Sequence, residues 1–282
     1  MITLSNGHRI ECVAGSGTLG FNGKGYPWEW PLRWVGLLDP SLLFTIVLKT
    51  LTYHPRQGNF KFTKPWKSIR FLNNGVVNAM GLPNKGIRWW MQNIAPTIDF
   101  SKLSIIGSIF AENVAELREM LWMLQHKFVA LEINVSCPSA KQLDAKTIIR
   151  YCEIAAAETN KPIILKLSVS HDIKTIIPDI EGIVEAISIN SVPWKIVFPY
   201  HKSPFQHFGG GGISGKIAQP YTWNFVRRLT QLTLIPIIGP SVWEYEDIER
   251  LRQIGAGAIS FGSIFLRYPW RPTSFVRQDM KK

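Results

Sequence analysis

Short runs of apolar, mostly β-branched residues recur along this chain at fairly even intervals, and stretches with helical periodicity lie between several of them. Continuous apolar runs of this length are typical of strands that are buried on both faces of a sheet. The pattern restricts the chain to folds in which buried strands alternate with helices. The runs are IECVAG (10–15), FTIVLK (44–49), VVNAMG (76–81), SIIGSI (104–109), ALEINV (130–135), PIILKL (162–167), AISINS (186–191), IPIIG (235–239) and AISFG (258–262).

The helical stretches carry residues that commonly start and end helices. Asn113 is placed to cap a helix over 114–125. Ser241 and Glu244 match a capping box before another helix, which Gly255 is expected to end. Further helices are predicted over 143–158, 173–184 and 221–231.

Alternation of strands and helices over this length, without a GxGxxG motif after the first strand, favours an α/β fold that forms a single (β/α)8 TIM barrel. Nine runs compete for eight positions in the barrel. The run 76–81 is excluded, because it lies between stretches rich in Pro and Gly and is expected to belong to a long active-site loop. No linker or internal repeat divides the chain, so residues 1–282 are predicted to form one domain.

Composition supports a folded globular chain. Of the 282 residues, 46% are hydrophobic and 18% are charged, which is too apolar for a disordered protein. The three cysteines, Cys12, Cys137 and Cys152, have no CxxC spacing, so neither a disulfide framework nor a metal site is predicted. The chain has no signal-peptide pattern and no run of about 20 apolar residues, so a soluble, cytoplasmic protein without a membrane partner is expected.

The formal net charge of +12 favours anionic partners of several classes: nucleic acid, phosphate cofactors, carboxylate substrates or anionic lipid. The basic residues are scattered, with loose groups at 61–70 and at Arg227 and Arg228, and most of them are expected on solvated faces. Tryptophans cluster at 28–34 and at 89–90, where core packing is favoured over an interface.

Polar residues gather at the ends of the predicted strands and in the loops after them, where the active sites of TIM barrels lie. Amides, hydroxyls, two lysines and one cysteine that converge on one face would suit a planar ligand bearing anionic groups. These residues are Gly15, Ser16, Gly17, Thr18, Lys49, Thr50, Asn78, Asn134, Ser136, Cys137, Lys166, Asn190, Ser191, Gly239, Gly262 and Ser263.

Several motifs, in order and spacing, make the chain resemble the dihydroorotate dehydrogenases over nearly its whole length. They are SGTLGF near the start, LKTLTYHPRQGN (48–59), NAMGLPN (78–84), INVSCPS (133–139), LKLS (165–168), FGGGGISGK (208–216) and GSIF (262–265). The resemblance implies an FMN-containing barrel that oxidises dihydroorotate to orotate in pyrimidine biosynthesis. Cysteine at position 137 implies the soluble class 1 type, because the membrane-associated class has serine there.

The resemblance also implies roles for individual residues. Cys137 would be the general base on a mobile loop, and Lys49 would pair with the orotate carboxylate and touch the flavin. Lys166 would stabilise negative charge at the flavin N1–C2 edge, with a salt bridge inside the barrel as the alternative explanation of this lysine. The implied substrate residues are Lys49, Asn78, Met80, Gly81, Leu82, Asn134, Ser139, Asn190 and Ser191. The implied FMN residues are Gly15, Ser16, Gly17, Lys49, Thr50, Asn134, Lys166, Asn190, Gly211, Gly212, Ser214, Gly215, Gly239, Ser241, Gly262 and Ser263.

Two positions depart from the family pattern. Ser139 stands where the family usually has asparagine, and residues 239–242 read Gly-Pro-Ser-Val where it usually reads Gly-Thr-Gly-Gly. Ser139 is shorter than asparagine, so this departure bears on the identity of the substrate more than on that of the cofactor. Pro240 has no backbone N–H, so the second departure removes one hydrogen-bond donor from the loop. Alternatives are a tRNA-dihydrouridine synthase, an enzyme of another dihydropyrimidine, and a non-catalytic scaffold barrel.

The resemblance leaves the electron acceptor open between fumarate and a partner chain with flavin and an iron-sulfur cluster. A homodimer is expected, and nucleic acid is not expected as a partner.

Overall fold

A closed barrel of eight parallel strands forms the centre of the molecule. The computed structural model describes residues 1–61, 63–136 and 143–282. Each strand pairs with its neighbours in chain order, and the first strand pairs with the last to close the ring, which confirms the predicted (β/α)8 fold. The strands are β1 (Cys12–Ala14), β2 (Thr45–Val47), β3 (Ile105–Phe110), β4 (Ala130–Asn134), β5 (Ile163–Leu167), β6 (Ala186–Ile189), β7 (Ile237–Gly239) and β8 (Ala256–Phe261).

Helices lie between the strands, largely where the sequence predicts them. Asn113 caps its helix as predicted, because its side chain accepts a hydrogen bond from the Glu116 amide. None of the described helices is long and apolar enough to cross a membrane. They are α1 (Trp30–Trp34), α2 (Pro40–Leu43), α3 (Ile87–Asn93), α4 (Val114–Leu124), α5 (Ala145–Glu158), α6 (Ile173–Ile180), α7 (Trp194–Val197), α8 (Gln219–Leu232), α9 (Glu246–Gln253), α10 (Ile264–Arg267) and α11 (Arg271–Asp279).

Side chains that point into the barrel form an apolar layer below a polar one, since alternate residues of a strand face the same side. The apolar layer is closed from below by an antiparallel hairpin, Ile2–Thr3 with Arg9–Ile10. The polar layer therefore lies at the carboxyl ends of the strands. The buried apolar cluster comprises Ile2, Leu4, Ile10, Val13, Val47, Ile106, Ala130, Ile164, Ala186, Ile238 and Ala258.

A second, antiparallel sheet lies in the loops that follow β2 and β6. Its strand order is Val192–Pro193, Gly212–Gly215, Gly75–Asn78 and Ile69–Leu72. The run 76–81 is therefore outside the barrel, as predicted, although its first residues form a strand of this sheet instead of an irregular loop. Because loops after barrel strands lie at the carboxyl end, this sheet stands beside the polar layer.

Two sequence-based expectations are wrong. Ser241 and Glu244 do not form a capping box, because α9 begins at Glu246 and the backbone amides before it donate to Asp247. The Trp cluster at 28–34 is not core, since Trp28, Trp30 and Trp34 are all exposed. Trp90 is buried, as expected, whereas its neighbour Trp89 is half-buried. Gly255 follows the end of α9 with a φ of 97°.

Candidate active site

Hydrogen bonds connect the polar layer across adjacent strands. Ser16 Oγ lies 3.2 Å from Thr50 Oγ1, which lies 2.9 Å from Ser108 Oγ. The Ser108 hydroxyl donates to Glu132 Oε1 at 2.7 Å. Residues at the ends of β1 and β2 are thereby joined to the interior of β3 and β4.

A second branch of this network runs from Thr50 toward β6. Asn134 Nδ2 donates to Thr50 Oγ1 at 3.0 Å, and the Ser136 hydroxyl donates to Asn134 Oδ1 at 2.7 Å. Asn190 Nδ2 donates to the Ser136 carbonyl at 3.0 Å. Ser191 lies next to Asn190, with its hydroxyl 3.5 Å from Asn190 Oδ1. The network thus brings together six of the predicted site residues: Ser16, Thr50, Asn134, Ser136, Asn190 and Ser191.

Lys166 lies in the same layer and forms a buried ion pair. Its Nζ is 3.4 Å from Glu132 Oε1, and Ser188 donates to Glu132 Oε2 at 2.8 Å. Sequence reasoning did not single out Glu132, although it identified a salt bridge as one explanation of the lysine. A usable signal was present, because Glu132 stands two residues before Asn134 in a buried strand and must face the same side.

Lys49 follows β2 and lies against two other predicted residues. Its Nζ is 3.9 Å from Met80 Sδ. Gly17 adopts a φ of 83°, and a Cβ built on it would lie 3.4 Å from Lys49 Cγ. Glycine at this position therefore allows both the left-handed backbone and the close approach of the lysine stem.

The turn at 80–82 is held in an unusual backbone conformation. Gly81 and Leu82 have φ values of 71° and 55°, and the second is uncommon for a residue with a large side chain. The backbone N–H of Asn59 donates to the Met80 carbonyl at 2.8 Å, and the side-chain Nδ2 of Asn84 donates to the Leu82 carbonyl at 2.8 Å. These bonds fix the peptide groups that the resemblance assigns to the substrate.

The glycine-rich segment packs against the predicted substrate residues. Gly212 pairs with Asn78 in the antiparallel sheet. A Cβ on Gly211 would lie 2.6 Å from the Asn78 carbonyl, and one on Gly212 would overlap Ser191 Oγ. Close backbone approach thus explains these glycines. Ser214 and Gly215 lie in the same strand.

The loops after β7 and β8 lie side by side, where phosphate groups commonly bind in TIM barrels. A Cβ on Gly239 would lie 2.8 Å from Ala256 Cβ, so this glycine is needed for packing between the two strands. Ser241 has a φ of 70°. Gly262 is open, with nothing within 4 Å of a built Cβ, and it is followed by Ser263 at the start of α10.

The predicted base Cys137 and the predicted substrate residue Ser139 lie outside the described residues. The other two cysteines are poor candidates for a base. Burial raises the pKa of both the Cys12 and the Cys152 thiol to about 12, and both side chains belong to the core, as the sequence predicts for Cys152.

A family model described as dihydroorotate dehydrogenase matches residues 34–270 of this chain. The chain belongs to the dihydroorotate dehydrogenase family. This membership confirms the resemblance and the expected enzyme class, an FMN-dependent oxidoreductase, and it does not favour the tRNA-dihydrouridine synthase or scaffold alternatives.

Similar dihydroorotate dehydrogenases include both electron-acceptor types. The "Dihydroorotate dehydrogenase B (NAD(+)), catalytic subunit" of Maridesulfovibrio salexigens is 28% identical over 264 residues, 89% of this chain and 82% of the relative. The "Dihydroorotate dehydrogenase A (fumarate)" of Lactiplantibacillus plantarum is 28% identical over 257 residues, 85% of this chain and 81% of the relative.

Among solved structures, the ligand-free type DHODH from Eimeria tenella superposes with a TM-score of 0.67 at 15% identity. The match covers 83% of this chain and 75% of that one. At this level of identity the similarity shows the shared barrel fold.

The residues present fit the family's FMN. Gly262 leaves free space at the end of β8, and a Cβ on Gly15 would meet the Phe261 carbonyl at 3.2 Å, so β1 and β8 approach closely beside that space. Lys166, Ser16 and Ser260 line a small cavity inside the barrel, together with Glu132 and with residues of the apolar layer. A cation, hydroxyls and exposed backbone at a barrel mouth match a flavin ring with a phosphate tail.

Proposed function

We propose that this chain oxidises dihydroorotate to orotate in pyrimidine biosynthesis, within one FMN-binding domain that spans residues 1–282. The observation that carries the proposal is the hydrogen-bonded polar layer at the barrel mouth, which gathers Thr50, Asn134 and Asn190 beside the Lys166–Glu132 ion pair. Together with family membership, it supplies amide and cationic groups for a planar anionic substrate.

The reaction removes a proton from the ring carbon next to the carbonyl and a hydride from the neighbouring carbon. FMN, held by the residues assigned below, would supply the hydride acceptor. We assign proton removal to Cys137, which follows the described Ser136, whose carbonyl and hydroxyl are both hydrogen-bonded to site asparagines. An ordinary thiol has a pKa of about 8.5, so the rate should rise with pH as the thiolate forms.

Substrate binding is assigned to the groups that converge around this position. Lys49 would pair with the carboxylate, while Asn78, Asn134 and Asn190 would bond the ring edge, and the fixed turn Met80–Leu82 would offer peptide groups. Ser191 and Ser139 complete the assignment.

Cofactor binding is assigned to three places. Ser16, Gly17, Thr50 and Lys166 would hold the flavin ring from the ends of β1, β2 and β5, together with Gly15, Lys49, Asn134 and Asn190. Lys166 would stabilise the negative charge that develops on the flavin. The loops after β7 and β8 would bind the phosphate, through Gly239, Ser241, Gly262 and Ser263. Gly211 and the strand Gly212–Gly215, with Gly212, Ser214 and Gly215, would close the site.

An anaerobic titration of the purified protein with dihydroorotate, followed at the flavin absorbance at about 450 nm, tests the proposal. Bleaching is expected. Cys137→Ala should bind flavin normally but slow its reduction by about 10² to 10⁴-fold, the usual contribution of a general base. Cys152→Ala, which removes a buried core thiol of α5, should leave the rate unchanged. A flavin that dihydroorotate does not bleach would reject the substrate, and an unchanged rate in Cys137→Ala would reject the base.

The electron acceptor is proposed to be a separate molecule, either fumarate or a partner chain that carries flavin and an iron-sulfur cluster. The A-type and B-type relatives are equally similar to this chain, at 28% identity each, so similarity does not choose between them. Reoxidation of the reduced protein by fumarate under anaerobic conditions would identify the first type. We further propose a cytoplasmic homodimer.

A further inference from the structure

The net positive charge of this chain comes from two segments. Residues 40–98 contain eight Lys or Arg and no Asp or Glu, and residues 186–243 contain five and none. These two segments carry a formal charge of +13, and the rest of the chain carries −1. The net charge therefore comes from two long stretches without a carboxylate, which lie far apart in sequence.

The fold brings the two segments together in the antiparallel sheet beside the barrel mouth. Strands Ile69–Leu72 and Gly75–Asn78 come from the first segment, and Val192–Pro193 and Gly212–Gly215 come from the second. The Arg70 guanidinium lies 5.8 Å from the centre of the Phe205 ring, which adds a side-chain contact between them. Positive charge is thus concentrated on one part of the surface.

Some cations of these segments are neutralised at the barrel wall. Arg56 pairs with Glu112 at 2.6 Å and Arg88 pairs with Glu119 at 3.1 Å. Ten others are exposed, and none of them forms an ion pair with any residue in the described ranges. Seven of these ten lie in the strands of the antiparallel sheet or in the chain segments next to them. We call the region that they define the cationic sheet: Lys61, Lys64, Lys67, Arg70, Lys195, Lys202 and Lys216.

Exposed aromatic rings accompany these cations. Trp66 is 59% exposed and lies between Lys64 and Lys67 in the sequence, and Tyr200 is 95% exposed and lies two residues before Lys202. A Trp or Tyr ring beside a lysine is typical of membrane-interface surfaces, where the ring enters the headgroup layer and the ammonium meets lipid phosphates. We propose that the cationic sheet is a peripheral binding surface for anionic lipid headgroups.

One exposed ring next to the cationic sheet, Phe71, is better suited to a headgroup layer than to base stacking. Single-stranded nucleic acid binds by stacking bases on open ring faces. Phe71, which is 52% exposed, has the Arg267 guanidinium 5.3 Å from its ring centre, so one ring face is already covered. A headgroup layer needs no free face. The expectation of no membrane partner was based on the lack of a segment that could span a membrane. A peripheral surface needs no such segment, and none of the described helices is long and apolar enough to be one.

Sedimentation of the FMN-loaded full chain with lipid vesicles tests the proposal independently of the reaction. Vesicles of phosphatidylcholine with phosphatidylglycerol should bind the protein, vesicles of phosphatidylcholine alone should bind it at least about tenfold more weakly, and salt should release it. Equal binding to both vesicle types, or no binding to either, would overturn the proposal.

Two sets of variants localise the surface. Lys64→Glu with Lys67→Glu, and separately Trp66→Ala, should each weaken vesicle binding about tenfold or more while dihydroorotate turnover stays unchanged. The control Lys146→Glu with Lys174→Glu makes the same change in net charge on the exposed faces of α5 and α6. The control Trp122→Ala removes a ring that is 72% exposed on α4. Both controls should bind vesicles normally. A control that loses as much binding as its test variant would reject the cationic sheet, and binding of poly(U) RNA without vesicle binding would replace lipid by nucleic acid.

Discussion

Glu132 places a carboxylate in the middle of the barrel, where an isolated charge would be strongly unfavourable. Its two oxygens are bonded to Ser108, Ser188 and Lys166, so the charge is both paired and hydrogen-bonded. The same contacts fix the position of the lysine that the proposed mechanism places against the flavin. One residue therefore links the stability of the interior to the geometry of the site.

Removing one member of this pair should cost much more than removing both. Glu132→Leu leaves the Lys166 ammonium buried without its carboxylate and should lower the free energy of unfolding by about 3–5 kcal/mol. The double variant Glu132→Leu with Lys166→Met should recover most of that loss, because two apolar side chains replace the pair. Urea unfolding of the three proteins measures these differences. A double variant no more stable than Glu132→Leu would contradict the ion-pair account.

At the scale of elements, the loop after β7 is held by two helices. The carboxylate of Asp247 in α9 accepts hydrogen bonds from the amides of Trp243 and Glu244, both at 2.9 Å. Gln219 in α8 donates to Asp247 at 2.7 Å and to the Ser241 carbonyl at 2.9 Å. The left-handed conformation of Ser241, at a position where the family usually has glycine, is thus maintained by its neighbours.

Asp247→Ala should therefore loosen the loop that we assign to the phosphate. Two amides would lose their partner, at about 1–3 kcal/mol for each buried group left unsatisfied. We expect lower stability together with FMN binding weakened about tenfold, measured by urea unfolding and by fluorescence titration of the apoprotein. Glu246→Ala removes the adjacent, exposed carboxylate and serves as the matched control. Unchanged FMN affinity in Asp247→Ala would contradict the role of this contact.

The same loop shows where sequence reasoning stops. Local signals were sufficient for the helix after Asn113 and for the exclusion of run 76–81 from the barrel. Ser241 and Glu244 matched a capping box by spacing, but Asp247, three residues further on, takes the amides instead. A capping-box pattern considers only residue types at fixed spacing. It does not consider that a third side chain, here Asp247, can accept the same backbone N–H groups.

Long-range pairing was equally hidden from local patterns. The strands Gly75–Asn78 and Gly212–Gly215 are adjacent in space, although more than a hundred residues separate them in the chain. In the sequence, the glycines of the second strand fit either a flexible turn or a phosphate loop. The partner strand, which explains them by close packing, cannot be identified from local sequence. Residues that follow barrel strands could be predicted to converge, since the fold itself brings those ends together, whereas contacts within long loops could not.

The two ends of the barrel differ in role but share one acid-sensitive feature. His8 lies at the lower end, with Nε2 3.0 Å from Thr45 Oγ1, and His171 lies in the loop after β5, with Nδ1 accepting from the Ser168 amide at 3.2 Å. Burial lowers the pKa of both imidazoles below the ordinary value of 6.5. Each ring is thus neutral in the folded protein at a pH where the unfolded chain would begin to protonate it.

This difference sets the direction of the pH dependence. Below about pH 6.5 these two histidines bind more protons in the unfolded chain than in the folded one. Stability therefore falls as pH falls from about 6.5 toward the lower pKa values of the folded state. Above about pH 6.5 both histidines are neutral in both states and do not change the stability further. The variant His8→Asn with His171→Asn should therefore lose less stability between about pH 7.5 and 5.5 than the unaltered protein. A difference of about 2–4 °C in melting temperature corresponds to about 1 kcal/mol in a chain of this size. His126→Asn, at an exposed position, should follow the unaltered protein, and a double variant with the same acid sensitivity would show that other groups control it.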